Sequence, residues 1–66
     1  MSQKQIERDA MHYATAAQKK ALRQLAADNG QYVIHGRGSA TNDIYVSDMM
    51  VTRRWTVRHD GEVVRD

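Results

Sequence analysis

Arg53-Arg54-Trp55-Thr56-Val57-Arg58-His59-Asp60-Gly61-Glu62-Val63-Val64-Arg65-Asp66 is the stretch whose reading decides the fold. Asp60-Gly61 separates two runs of strand-forming residues. Asp-Gly favours a two-residue type I′ turn, because both central positions need positive φ. Such a turn sets His59 opposite Glu62, Arg58 opposite Val63, Val57 opposite Val64, Thr56 opposite Arg65 and Trp55 opposite Asp66. Strand side chains alternate between faces, so Trp55, Val57 and Val64 share one face and Arg54, Thr56, Arg58 and Arg65 the other. Trp55 is the only tryptophan, and the chain has no phenylalanine. Its ring is therefore expected to be the largest single piece of the core, with the rest of the chain arranged to cover it.

The covering element is legible upstream. Ser2-Gln3-Lys4-Gln5 matches a capping box, in which the serine hydroxyl and the glutamine side chain satisfy each other's backbone amides. From there to about Asn29, alanine, glutamine, lysine, arginine and leucine favour helix. Asp28-Asn29-Gly30 is a stop signal, with Gly30 suited to a left-handed terminus. The helix is read either as one rod or as two pieces bent near Thr15. As one rod, with Glu7 and Asp9 early and Lys19, Lys20 and Arg23 late, its charges suit the helix dipole. Ile6, Ala10, Met11, Tyr13, Ala14, Ala17, Ala21, Leu22 and Leu25 fall on one broad face at helical spacing. Ala10, Ala14, Ala17 and Ala21 form a close-packing seam in its middle. That seam is expected to lie on the protein's own sheet, with part of it able to meet the same helix of a second subunit in a homodimer.

Between helix and hairpin, Gln31–His35 reads as a short strand, Gly36–Asn42 as a loop, Asp43–Ser47 as a second strand and Asp48-Met49-Met50 as a turn. A short helix over Thr41–Val51, capped by Thr41 or Asn42, is the alternative for that region. The expected architecture is α+β: a long N-terminal helix packed on an antiparallel sheet of three to four strands that ends in a β-hairpin. The expected core is Leu22, Leu25, Ile34, Ile44, Val46, Trp55, Val57 and Val64.

Sixty-six residues make a single domain, 1–66. A chain of that size buries only about 60% of the surface it exposes when unfolded. Cysteine is absent, which removes disulfides and thiolate metal sites together. Self-association remains as a means of adding stability. No apolar run is long enough to span a membrane and no signal peptide opens the chain, so a cytoplasmic protein without a membrane partner is expected. Ten basic and eight acidic residues leave a formal charge of +2, read here as spread over both halves of the chain. Such a balance gives little support to bulk attraction for nucleic acid.

Motifs that carry chemistry are scarce. Gly36-Arg37-Gly38-Ser39 has the composition of a phosphate-binding nest but completes neither a dinucleotide fingerprint nor a P-loop, and reads as an ordinary hairpin loop. His12, His35 and His59 lie on three different elements without metal-ligand spacing. No metal, cofactor or catalytic residue is assigned, and the chain is read as non-catalytic. The outward sheet face is the candidate site. Arg54, Arg58 and Arg65, with Tyr45 and with Arg37 nearby, form a partner-binding surface. The reading that follows is a small regulator or inhibitor, of the phage or mobile-element type, that docks on a larger host protein or ribonucleoprotein complex. A nucleic-acid binder using the Arg54/Arg58/Arg65 face is the alternative.

Overall fold

A computed structural model describes residues 2–66. Two helices, α1 (Gln3–Tyr13) and α2 (Ala16–Asn29), precede four strands: β1 (Tyr32–Arg37), β2 (Ile44–Asp48), β3 (Arg54–Val57) and β4 (Val63–Arg65). The strands form one antiparallel meander in the order β1-β2-β3-β4. The α+β architecture is the expected one, and Thr41–Val51 contains strand rather than a short helix. Helix α1 lies over β1 and α2 over β3. Within the described chain no helix is long and apolar enough to cross a membrane.

The helical region is two pieces, not a rod. Its break carries no glycine or proline. Thr15-Ala16-Ala17-Gln18 repeats the pattern of Ser2-Gln3-Lys4-Gln5, and each forms a complete capping box. A second N-cap inside a helix-forming run starts a new helix, because Thr15 must be extended for its hydroxyl to accept from the Gln18 amide. Ala14 is extended as well and closes α1. The break leaves Lys19 and Lys20 in the first half of α2 and Arg23 near its middle, rather than late in one helix, so the dipole no longer favours them.

Leu22, Leu25, Ile34, Ile44, Val46, Trp55 and Val57 form the core as expected, joined by Ala10. Val64 does not belong to it and is 39% exposed. The cause is the hairpin. The Gly61 amide donates to the Arg58 carbonyl and the Arg58 amide to the Glu62 carbonyl, each at 2.8 Å, and Gly61 has φ +92°. His59, Asp60 and Gly61 therefore form a three-residue loop with glycine in its left-handed position, instead of a two-residue turn. Every pair shifts by one: Trp55 faces Arg65, Thr56 faces Val64 and Val57 faces Val63. A one-residue slip moves a strand's whole side-chain set to the other face.

One polar residue fastens the layers. Gln18 is fully buried. Its amide nitrogen donates to the Asn42 carbonyl at 2.6 Å and the Val57 carbonyl at 3.1 Å, and its oxygen accepts from the Thr15 amide at 3.0 Å. Asn42 sits at φ +58°, a conformation asparagine tolerates, and its side chain donates to the Tyr13 carbonyl at 2.9 Å. The Thr15 hydroxyl donates to the His59 carbonyl at 2.7 Å. The helix junction, the β1–β2 loop and the β3–β4 hairpin thus meet around one satisfied amide.

Candidate functional site

The outer face of the sheet, away from the helices, is set by strand alternation. Tyr45, Thr56 and Val64 form one cross-strand row, and Ser47 pairs with Arg54 in the next. Arg58 follows on the same side by alternation, opposite Glu62. Arg65 does not join them. The shifted register puts it opposite Trp55, on the helix-side face, so the three-arginine surface expected from the two-residue turn does not form. Arg54 and Arg58 stay outside, but Glu62 and Asp66 share their face and dilute the positive charge.

Arg37 is placed differently again. Gly36 and Arg37 belong to β1 rather than to a loop, which removes the Gly36–Ser39 nest. Ile34 pairs with Val46 but Gly36 with Tyr45, leaving His35 as an extra residue in a β-bulge. The bulge turns Arg37 to the face of Ile44, beneath α1. There its side chain is 17% exposed, 3.5 Å from the Asp9 carboxylate, with the guanidinium 4.1 Å above the Tyr13 ring. The Arg37 Nε is buried and not aligned for a hydrogen bond. Arg37 ties α1 to the sheet and is not free to meet a partner.

The bulge also aims His35 at Ser47, whose hydroxyl lies 2.6 Å from His35 Nε2. Ser47 is fully buried and donates its single proton to the Asp48 carbonyl at 2.9 Å. That network assigns the proton between them to His35 Nε2, so the imidazole does not accept from the hydroxyl. A serine held this way is not poised as a nucleophile.

The seam alanines separate too. Ala10 is buried in the chain's own core and Ala21 packs against it, as does Ala14 from the linker. Ala17 is exposed toward solvent but lies against the hairpin at Gly61. The break at Thr15 prevents the four from forming one continuous stripe.

The β2–β3 turn lies at Asp48-Met49-Met50 as expected, but sequence reasoning did not single it out as a site. Met49 is 59% exposed, Met50 83% and Val51 43%. Val51 has φ +56°, which a β-branched residue rarely adopts. The Asp48 carboxylate holds the turn: it accepts from the Thr52 amide at 2.8 Å, from the Thr52 hydroxyl and from Arg53 Nε at 3.4 Å. The Thr52 hydroxyl, with the Thr52 and Arg53 donors, pulls the Asp48 carboxyl down to about 2. Arg53 continues to the Asn29 side chain at 3.2 Å and lies 5.7 Å from the Trp55 ring. The signal available in the sequence was the Met49-Met50 pair itself, two adjacent apolar residues in a turn where polar ones are usual.

Two depressions flank this turn. One, about 310 Å³, is walled by His35, Tyr45, Val51, Arg54 and Asp66 on the outer face. The other, about 590 Å³, runs between α1 and the start of β1 past Glu7, Met11, Tyr32 and Met49. Burial, aided by the nearby Glu7 carboxylate, pushes the Tyr32 hydroxyl above its ordinary pKa. Among the described residues, six of the seven large exposed apolar side chains, Tyr45, Met49, Met50, Val51, Val63 and Val64, belong to the sheet and its turns. No family model, curated protein or solved structure matches the chain.

Proposed function

We propose that the protein is a non-catalytic docking module, a small regulator or inhibitor that engages a larger protein or ribonucleoprotein complex through the Met49–Val51 turn and the adjoining outer sheet face. The observation that supports it most is Val51. A β-branched residue in the left-handed region costs about 1–2 kcal/mol. Here that conformation presents Met49 and Met50 to solvent, where they contribute nothing to the chain's own core. The turn closes the hairpin through Asp48, but strain kept at an exposed apolar segment is a pointer to function. Methionine is suited to such a role, since its flexible thioether fits irregular apolar pockets.

The partner this surface fits has an apolar pocket for Met50, an apolar rim for Tyr45 and Val64, and a carboxylate opposite Arg54. Such a surface follows the usual anatomy of an interface, with apolar anchors surrounded by polar groups. The test is affinity capture with matched variants. Wild-type protein recovers a defined protein partner that survives nuclease treatment. Met50→Asp reduces recovery at least about tenfold, as loss of one anchor worth 1.4 kcal/mol or more would do. Equal recovery by wild type and Met50→Asp would refute the proposal.

A further inference from the structure

The formal charge of +2 is not spread along the chain. Up to Gly30 there are five basic and three acidic residues; after it there are five of each. The excess therefore belongs to the helices. One of their carboxylates, Asp9, is already engaged by Arg37 from the sheet. Among the described residues none of Lys4, Arg8, Lys19, Lys20 and Arg23 forms an ion pair; the only pairs are Arg37–Asp9 and Arg53–Asp48.

Three of these cations concentrate on α2. Gln18, Leu22 and Leu25 are its buried residues. At 100° per residue, the opposite stripe runs through Ala16, Lys20, Arg23 and Ala27, with Lys19 at its flank; all five are exposed. Lys19 and Arg23 are four residues apart and Lys20 and Arg23 three, so Arg23 is a neighbour of both lysines. Like charges at these spacings destabilise a helix, and none of the three lies in its last turn, where the dipole would favour it. The cluster works against the helix's own stability.

We infer that the outer stripe of α2, with Lys19, Lys20 and Arg23, is a contact surface for the phosphate backbone of double-stranded DNA. The stripe carries charge and nothing else. It offers no aromatic or aliphatic anchor of the kind that dominates protein interfaces, and no ring on which single-stranded bases could stack. Polyphosphate requires only the cations. Ala16 and Ala27 keep the stripe narrow, which suits approach to the open major groove of B-form DNA rather than the closed one of A-form RNA. This surface is distinct from the Met49–Val51 turn, and the inference does not depend on the docking proposal.

The experiment is fluorescence anisotropy with a labelled duplex DNA of about 20 base pairs, titrated between about 50 and about 200 mM NaCl. Three neutralised phosphates predict a slope of log affinity against log salt of about −2.7, a loss of about 40-fold across that range. Lys20→Ala should reduce the slope to about −1.8 and the loss to about 12-fold. Lys20→Glu with Arg23→Glu should abolish binding while Trp55 fluorescence reports an intact fold, and Arg54→Glu with Arg58→Glu should leave binding in place. Absence of salt-dependent binding, an unchanged slope in Lys20→Ala, equal loss on reversing Arg54 and Arg58, or equal affinity for single-stranded DNA would overturn the inference.

Discussion

Replacing Gln18 by leucine removes the junction of the fold while keeping its volume. Gln18 is fully buried, and leucine leaves the Asn42 carbonyl and the Thr15 amide without partners, while the Val57 carbonyl keeps only its pairing with Ile44 in the sheet. Each buried orphan costs about 1–3 kcal/mol. The leucine side chain returns about 1.5–3 kcal/mol through burial. The net loss is about 2 kcal/mol, against a total stability of about 3–10 kcal/mol for a domain of this length. The corresponding fall in Tm is about 8–16 °C. Urea unfolding followed by Trp55 fluorescence measures it directly, because that ring lies in the core beneath the helices. Gln5→Leu is the internal control. Gln5 holds the equivalent place in the first capping box, but it is exposed and bonds only its own helix end. Its replacement should cost no more than about 0.5 kcal/mol. A loss below about 1 kcal/mol for Gln18→Leu, or equal losses at the two positions, would refute the idea that this amide joins the layers.

Two further outcomes follow from local geometry. Gly61→Ala should destabilise the protein by about 1–2 kcal/mol through its left-handed backbone alone, and by more because a Cβ there would lie 3.0 Å from the Ala17 Cβ and 3.1 Å from the Ala17 carbonyl oxygen; urea midpoints of the two proteins check it. Asp48 contributes stability that depends on acid. Its carboxyl is lowered from 3.8 to about 2 in the folded protein, so the contribution is present above the unfolded value and is lost as pH falls from about 4 through about 2. In Asp48→Asn the acid-unfolding curve should lose that component, whereas an unchanged curve would show that the carboxylate does not hold the turn.

The elements were legible where several local signals agreed. Ser2 and Gln5, the alanine-rich run and Gly30 all specified helix, and the alternation about Ile44 and Val46 specified a strand with two buried residues. Trp55 and Val57 went to the core because their parity was fixed within β3 itself. Three features depended on contacts distant in sequence. Asp60-Gly61 fits both a two-residue turn and the end of a three-residue loop, and the choice moved Val64 out and Arg65 to the helix side. The bulge at His35 has no composition signal; it is seen only in the pairing with β2, yet it decides that Arg37 joins Asp9 and Tyr13 rather than a partner surface. Thr15–Gln18 did carry a readable signal, since it repeats the first capping box. Its consequence, a buried glutamine bonded to residues 24 and 39 positions away, required the tertiary structure.

Hydrogen exchange of the partner complex tests the docking proposal most directly. Amides at Tyr45, across residues 49–53 and at Val64 should exchange more slowly in the complex than in the free protein. The β1–β2 loop, residues 38–43, lies outside the proposed surface and should be unchanged. Slowing centred on that loop, with the Met49–Val51 turn exchanging as fast as in the free chain, would contradict the proposal that this strained turn is the docking element.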